Sequence, residues 1–327
     1  MKKSWRILVS ASITLLAILL LAGCGGNKEK EAASNGNEKI KVVATVYPVY
    51  EFVKQVGGDK VDVVMLIPPG AEPHDWEPTA KDRTRIKDAK IFAYHGAGFE
   101  PIEKLLTKDV LGATVPVEVS KGVAKLTHPH EENAHKEDKN KQESEEKKGH
   151  NHDQEGDSHM WLDPLAAEQE VNAILAALIA VDEKNAAYYT ENAQKFTKQL
   201  VELDQEYKKV LSNTTRKDLI TSHEAFGYLA ARYGLNQVGI MGLSPDAEPT
   251  PDKMAEITKF CREHKVKYIF FETLASPKLA QTIAKETGAD LLVLNPIENL
   301  TEEEMKQGKN YIAIMKENLV NLEKALK

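Results

Sequence analysis

Cysteine is scarce in this chain, and several motifs of catalytic sites are missing. The 327 residues include two cysteines, Cys24 and Cys261, which excludes a disulfide framework and a thiolate metal cluster. There is no His-Glu-x-x-His motif, no Gly-x-Ser-x-Gly elbow and no Gly-rich phosphate loop. The chain has 43 Lys and Arg against 50 Asp and Glu, so its net charge of -7 argues against a nucleic-acid partner. Any metal chemistry has to use histidine and carboxylate side chains.

The N-terminus has the pattern of a secretion signal. Three basic residues precede an uncharged, largely apolar run over residues 7–23, which is short for a membrane span. The run ends Leu-Ala-Gly-Cys, and this ending resembles the lipobox at which bacterial lipoproteins are cleaved and lipidated on the cysteine. We therefore expect a signal peptide at 1–23, a lipid on Cys24 and a polar tether at 24–39. The alternative, an uncleaved membrane anchor, also puts the remainder outside the cytoplasm.

The rest of the chain alternates short β-branched runs with helical patterns. This alternation predicts an α/β fold with parallel sheets. The predicted strands are 40–46, 61–67, 91–95, 114–119, 218–222, 267–271 and 290–294. The predicted helices include 79–90, opened by Thr79 with Asp82 as a capping box, and 251–264, 277–287 and 302–326.

Two further segments divide the chain. Residues 128–158 contain ten acids, five lysines and five histidines but no Val, Ile, Leu, Met or aromatic residue, which predicts a disordered loop. Residues 184–213 carry an apolar stripe at spacings of 4 and 3, which predicts a long helix that could join two lobes. We therefore expect an N-terminal α/β lobe at 40–183, with the loop inserted, and a C-terminal α/β lobe at 214–327.

Three of the ten histidines lie in ordered settings at the ends of apolar segments. His74 is in Pro-His-Asp-Trp-Glu-Pro, His159 in Asp-Ser-His-Met-Trp-Leu-Asp-Pro and His223 in Ser-His-Glu-Ala-Phe-Gly-Tyr. Loops at the carboxyl ends of strands are where α/β folds bind ligands. Each histidine alone could equally be a hydrogen-bonded loop residue, whereas three together favour a metal site. The other seven are the isolated His95 and His264 and the loop set His128, His130, His135, His150 and His152.

These segments resemble the metal-binding lipoproteins of bacterial zinc and manganese ABC importers, specifically the zinc type with a His-rich loop. The resemblance covers essentially the whole mature chain. It implies two α/β lobes joined by a rigid helix, with one metal in the cleft between them. It further implies His74, His159 and His223 as ligands. The fourth ligand is Glu298, or else Glu272 or a water molecule.

The donor set favours zinc. Three neutral imidazoles and one carboxylate suit four-coordinate Zn²⁺, whereas Mn²⁺ prefers more oxygen ligands. The resemblance agrees, because family members that select manganese carry a carboxylate in place of the third histidine. Asp75, Glu77 and Glu224 adjoin ligands and could hydrogen-bond to the imidazoles, or could be solvated loop acids.

The expected function is therefore capture of Zn²⁺ outside the cytoplasm and its delivery to the membrane permease of an ABC importer. Zinc is then cargo, and the protein is a lipid-anchored monomer on the outer face of the cytoplasmic membrane, not an enzyme. One alternative is a zinc hydrolase with a catalytic water and Glu224 or Glu298 as general base. Another is a metal-independent adhesin. The loop histidines are expected to bind zinc weakly, or the loop merely adds solubility.

Overall fold

Two four-stranded parallel sheets organise the part of the chain that this computed structural model describes, residues 39–126 and 156–327. The predicted signal peptide, Cys24, the tether up to residue 38 and loop residues 128–155 lie outside the described residues. Residues Lys39–Lys327 belong to one compact unit. The expected α/β fold with two lobes and a long helix is confirmed, while the lobe boundaries stay a prediction.

The first sheet has the strand order β2-β1-β3-β4, with all neighbouring strands parallel. Its strands are β1 (Ile40–Ala44), β2 (Val61–Met65), β3 (Ile91–Tyr94) and β4 (Val115–Glu118), and its helices are α1 (Tyr47–Gly57), α2 (Ala80–Lys87) and α3 (Lys108–Leu111). All four residues of β3 are buried, as expected for an inner strand with both faces covered. Thr79 and Asp82 form the predicted capping box at the start of α2.

Two long helices follow, α4 (Pro164–Val181) and α5 (Ala186–Leu211). The 26 residues of α5 span ~39 Å at 1.5 Å per residue, and the helix has one buried face. That face consists of Tyr189, Ala193, Phe196, Leu200, Leu203, Tyr207 and Leu211. Helix α4 is long and apolar enough to cross a membrane by length and composition alone. Its residues Val171, Ile174 and Leu178 are nevertheless buried in the same core as the α5 face.

The second sheet repeats the topology of the first, with the order β6-β5-β7-β8 and parallel neighbours. Its strands are β5 (Asp218–Thr221), β6 (Asn236–Gly239), β7 (Tyr268–Phe271) and β8 (Asp290–Val293). The accompanying helices are α6 (Gly227–Tyr233), α7 (Pro251–Glu263), α8 (Lys278–Thr287), α9 (Glu302–Lys306) and α10 (Tyr311–Leu326). Because neighbouring strands in each sheet are parallel, their carboxyl ends lie at one edge of the sheet.

The structure departs from the predicted elements in two places. Strand β6 was not predicted, because its sequence Asn-Gln-Val-Gly has little β propensity and it lies at the edge of the sheet. The single helix predicted over 302–326 is wrong, since α9 and α10 are separate. Gly308 lies between them with a φ of 70°, and the Asn310 side chain accepts a hydrogen bond from the Ala313 N–H to start α10.

The buried face of α5 generates a stability prediction. The ring of Phe196 lies 5.7 Å from that of Phe52 on α1 and 6.4 Å from that of Tyr311 on α10. Replacing Phe196 with Ala should lower the free energy of unfolding by about 3–5 kcal/mol, because the cavity opens where three helices meet. Denaturant titration measures this. Val320→Ala is the control, since that side chain is 64% exposed and should change stability by less than about 0.5 kcal/mol. If both substitutions lowered the free energy of unfolding equally, the burial of Phe196 between α1 and α10 would be contradicted.

Candidate metal centre

Four side chains predicted from the sequence as metal ligands come together between the two sheets. One donor atom from each lies within 4.8 Å of every other, a spacing at which one ion could be held. The four residues are His74, His159, His223 and Glu298.

Each of these residues lies in a loop or short turn next to regular structure. His74 is in a 3-10 turn, Pro73–Asp75, in the loop after β2, and the Glu72 side chain accepts a hydrogen bond from its N–H. His159 immediately precedes the 3-10 turn Met160–Leu162, which leads into α4. His223 comes two residues after β5, and Glu298 follows β8. Parallel strands bring their carboxyl ends to one edge, and this edge is where a binding site forms.

The Glu298 carboxylate is the centre of the arrangement. Its Oε1 lies 3.0 Å from Nε2 of His159, 3.2 Å from Nε2 of His223 and 3.4 Å from Nε2 of His74. His159 and His223 are fully buried and Glu298 is 2% exposed, whereas the His74 side chain is 14% exposed. Solvent therefore reaches the site most readily past His74.

Neighbouring side chains shift the pKa values of three of these groups, His159, His223 and Glu298. Burial alone would raise the pKa of Glu298, but the charge of His74 and the close Nε2 atoms of His159 and His223 outweigh it and hold that pKa well below its usual range. Burial alone would lower the pKa of His159 and of His223, yet the neighbouring carboxylates raise both. Protons and a cation would therefore compete for the same nitrogens.

Two further carboxylates orient the buried imidazoles. Nδ1 of His159 hydrogen-bonds to Oδ1 of Asp157 at 2.8 Å, and Nδ1 of His223 lies 2.7 Å from Oε2 of Glu272. In both rings this directs Nε2 toward Glu298. Glu272, considered as an alternative ligand, therefore lies behind His223 and not among the four converging donors. Asp157 was not predicted, although an acid two residues before a histidine that follows a polar segment was a usable signal.

Within the described residues, the other acids considered in the sequence are not among the four converging donors. Asp75 is exposed and its carboxyl hydrogen-bonds to that of Asp246, which raises the pKa of Asp246. Glu77 is exposed, and within the described residues no hydrogen bond joins it to an imidazole. The Glu224 side chain lies against Gly239, where it leaves no room for a Cβ.

The isolated histidines are also separate from the four donors. His95 is fully buried, with its ring 4.7 Å from that of Trp161, and burial lowers its pKa to about 3. It is therefore neutral at physiological pH. His264 is partly exposed, stacks on Phe260 and hydrogen-bonds through Nδ1 to Asp218. The loop histidines lie outside the described residues.

Aromatic rings form one wall of the site. The Phe99 ring centroid lies 4.8 Å from that of His74 and 5.6 Å from that of His159. The Trp161 ring lies 5.4 Å from that of His159. These rings keep water from the nitrogens, so a cation held here would interact strongly with the carboxylate.

Comparison with known proteins agrees with this arrangement. Residues 42–325 match the family described as zinc-uptake complex component A, periplasmic (ZnuA). The chain is 42% identical over 327 residues to the high-affinity zinc uptake system protein ZnuA of Bacillus subtilis, covering 100% of this chain and 99% of that protein. It is 40% identical over 325 residues to the zinc-binding lipoprotein AdcA of Streptococcus pneumoniae, covering 98% of this chain and 60% of AdcA.

A solved structure shows the same fold. The Zn(II)-bound ZnuA-like domain of Streptococcus pneumoniae AdcA superimposes with a TM-score of 0.72 at 39% identity, covering 88% of this chain and 99% of that one. The family match spans both lobes and all four converging residues. The chain therefore belongs to the family of periplasmic zinc-uptake complex components.

Proposed function

We propose that this protein binds one Zn²⁺ through His74, His159, His223 and Glu298 and delivers it to the membrane permease of an ABC importer. The observation that carries the proposal is the convergence of three imidazole Nε2 atoms on one carboxylate oxygen, at 3.0, 3.2 and 3.4 Å. Three nitrogens and one oxygen within 4.8 Å of one another match a four-coordinate zinc site. Capture is its role, because the relatives are named for zinc uptake and zinc binding.

The unpartnered nitrogens support this use of the site. Within the described residues, Nε2 of His74 and both ring nitrogens of His223 are buried without a hydrogen bond of good geometry. Buried polar atoms of this kind normally have a partner. A bound ion would be the partner of Nε2 of His74 and Nε2 of His223.

The donor count argues against the hydrolase alternative. A catalytic zinc keeps one coordination position open for water, whereas here a fourth protein donor lies among the three imidazoles. Glu298 therefore serves as a ligand in this proposal and not as a general base. Zinc is the transported substrate.

The N-terminal sequence supplies the location. Lipidation of Cys24 ties a monomer to the outer face of the cytoplasmic membrane, where the tether at 24–39 lets the zinc-loaded protein reach the permease. The family description as periplasmic and the name lipoprotein given to AdcA support this placement.

The first test is metal stoichiometry and selectivity. The purified protein should bind one Zn²⁺ tightly and prefer it to Mn²⁺ in competition, and His223→Ala should abolish tight binding because it removes a fully buried donor. His264→Ala is the matched control, since this histidine lies outside the site and should leave zinc binding unchanged. Thermal unfolding of the metal-free variants shows that they fold. Preference for Mn²⁺, or tight binding by the His223 variant, would refute the proposed ligand set.

Removing an orienting carboxylate should weaken binding without removing a ligand. Asp157→Asn and Glu272→Gln keep the side-chain shape but lose the charge that faces Nδ1 of His159 and His223. Each should lower Zn²⁺ affinity by about 10- to 100-fold, the usual effect of losing such a partner. Chelator competition measures the affinity. Glu77→Gln is the control at an exposed acid and should bind zinc like the wild type. If Glu272→Gln abolished tight binding while Glu298→Gln kept it, Glu272 would be the ligand instead of Glu298.

Zinc affinity should fall as the pH is lowered. The imidazoles must lose their protons to bind zinc, and the pKa values of His159 and His223 are raised in the metal-free protein. Protons therefore compete with zinc from a higher pH than the ordinary histidine value of about 6.5, and binding releases protons. Calorimetric titration at pH 7.5 and 5.5, in buffers of different ionisation enthalpy, measures both effects. Equal affinity at the two pH values would be incompatible with this linkage.

A further inference from the structure

The segment that carries Glu298 lies on the first lobe, although it belongs in sequence to the second. After β8 the chain leaves the second sheet, and three carbonyl groups over residues 296–300 accept hydrogen bonds from the first lobe. The donors are the Trp161 indole to Pro296 at 2.7 Å, the Tyr47 N–H to Glu298 at 3.2 Å and the Gly70 N–H to Leu300 at 2.8 Å. The position of Glu298 is therefore set by contacts with the first lobe.

The backbone just before Glu298 adopts an uncommon conformation. Ile297 has a φ of 58° and is fully buried, and positive φ is an unfavourable conformation for a β-branched residue. Its N–H donates to Oδ1 of Asn295 at 2.8 Å, which helps to hold this turn. Such a conformation persists where the surrounding contacts require it. The hydrogen bonds made by residues 298–300 therefore help to hold the backbone that carries the Glu298 carboxylate.

Asn299 adds side-chain hydrogen bonds between two segments that the Gly70 N–H also joins through the Leu300 carbonyl. Its side chain is buried, and its Nδ2 donates to the carbonyl of Pro68 at 2.7 Å and to that of Ala71 at 2.9 Å. Its Oδ1 accepts from the N–H of Leu300 at 2.9 Å. Pro68 and Ala71 begin the loop that carries His74. One amide thus ties the His74 loop directly to the neighbour of Glu298.

His74 depends on this tie more than the other imidazoles do. His159 and His223 are held at Nδ1 by Asp157 and Glu272, whereas within residues 39–126 and 156–327 no hydrogen bond or ion pair is made by Nδ1 of His74. The position of its ring therefore follows from the loop. Its Nε2 is also the farthest of the three from Glu298, at 3.4 Å.

We propose that Asn299 is a positioning residue of the metal site, which fixes the distance between His74 and Glu298 by tying the His74 loop to the Glu298 segment. It touches neither the metal nor a ligand side chain. The inference rests on the proposed function, because it assumes that His74 and Glu298 are both ligands.

The chemistry of the amide makes the test selective. Two N–H groups facing two carbonyl oxygens can be supplied by asparagine but not by aspartate, which has the same shape. In Asn299→Asp a carboxylate would face the two carbonyl oxygens, so the loop would be repelled from the segment and lose both hydrogen bonds. The ligands themselves remain unchanged.

The experiment compares the full-length wild type with Asn299→Asp and with Asn192→Asp. Asn192 is the matched control, because its Nδ2 also donates to a backbone carbonyl, that of Val56 at 3.1 Å, but on α5 away from the site. Zn²⁺ affinity is measured by chelator competition, and the visible absorption of bound Co²⁺ reports the coordination geometry. Thermal unfolding of the metal-free proteins reports stability.

The expected result is a loss of about 10- to 100-fold in Zn²⁺ affinity for Asn299→Asp together with an altered Co²⁺ spectrum, while Asn192→Asp matches the wild type in both. If Asn299→Asp fails to fold, Asn299→Ala removes both N–H donors without adding charge and should weaken affinity and alter the spectrum in the same way. An unchanged Co²⁺ spectrum in a folded Asn299 variant, whatever its stability, would overturn the positioning role. Absence of tight zinc in the wild type would instead overturn the proposed function.

Discussion

The arrangement of the site depends on how the buried carboxylate of Glu298 is stabilised. Taking a carboxylate out of water costs several kcal/mol unless opposite charge and hydrogen bonds compensate. Here three imidazoles surround one oxygen, at 3.0 to 3.4 Å, and the pKa of Glu298 is held well below its usual range. The same closeness raises the pKa of His159 and of His223. Three imidazole nitrogens and one carboxylate oxygen at these distances could share the charge of a divalent cation.

Two sheets with the same topology carry the side chains that surround this carboxylate. Both sheets have the strand order 2-1-3-4 in their own sequence, and three of the four donors follow strands, His74 after β2, His223 after β5 and Glu298 after β8. Short 3-10 turns beside His74 and His159 restrict the backbone at those positions. The buried face of α5 contributes to the core shared by the helices of both halves. Ligands far apart in sequence can then be held at fixed distances.

Much of this could be predicted from the sequence, and the failures have physical causes. The three histidines stand out because each follows or precedes an apolar segment in a polar turn. Glu272 and Glu298 could not be separated in the same way, since each follows a strand of the second sheet. Their difference comes from the turn at Ile297 and from contacts with the first lobe, which local patterns do not encode. Asn299 is a clear case, because its partner Pro68 lies 231 residues away.

These contacts also change how the two lobes share the ligands. By chain order two of the four donors come from each lobe, but Glu298 is hydrogen-bonded through its own carbonyl and its neighbours to the first lobe. His74, His159 and Glu298 are therefore all held by contacts with the first lobe. His223 alone is carried by the second sheet, where Glu272 holds its ring. A displacement of the second sheet changes chiefly the distance from His223 to the other three donors. The three donors held by the first lobe would keep their mutual distances. Such a movement would therefore change only the contribution of the His223 imidazole and leave the other three donors in place.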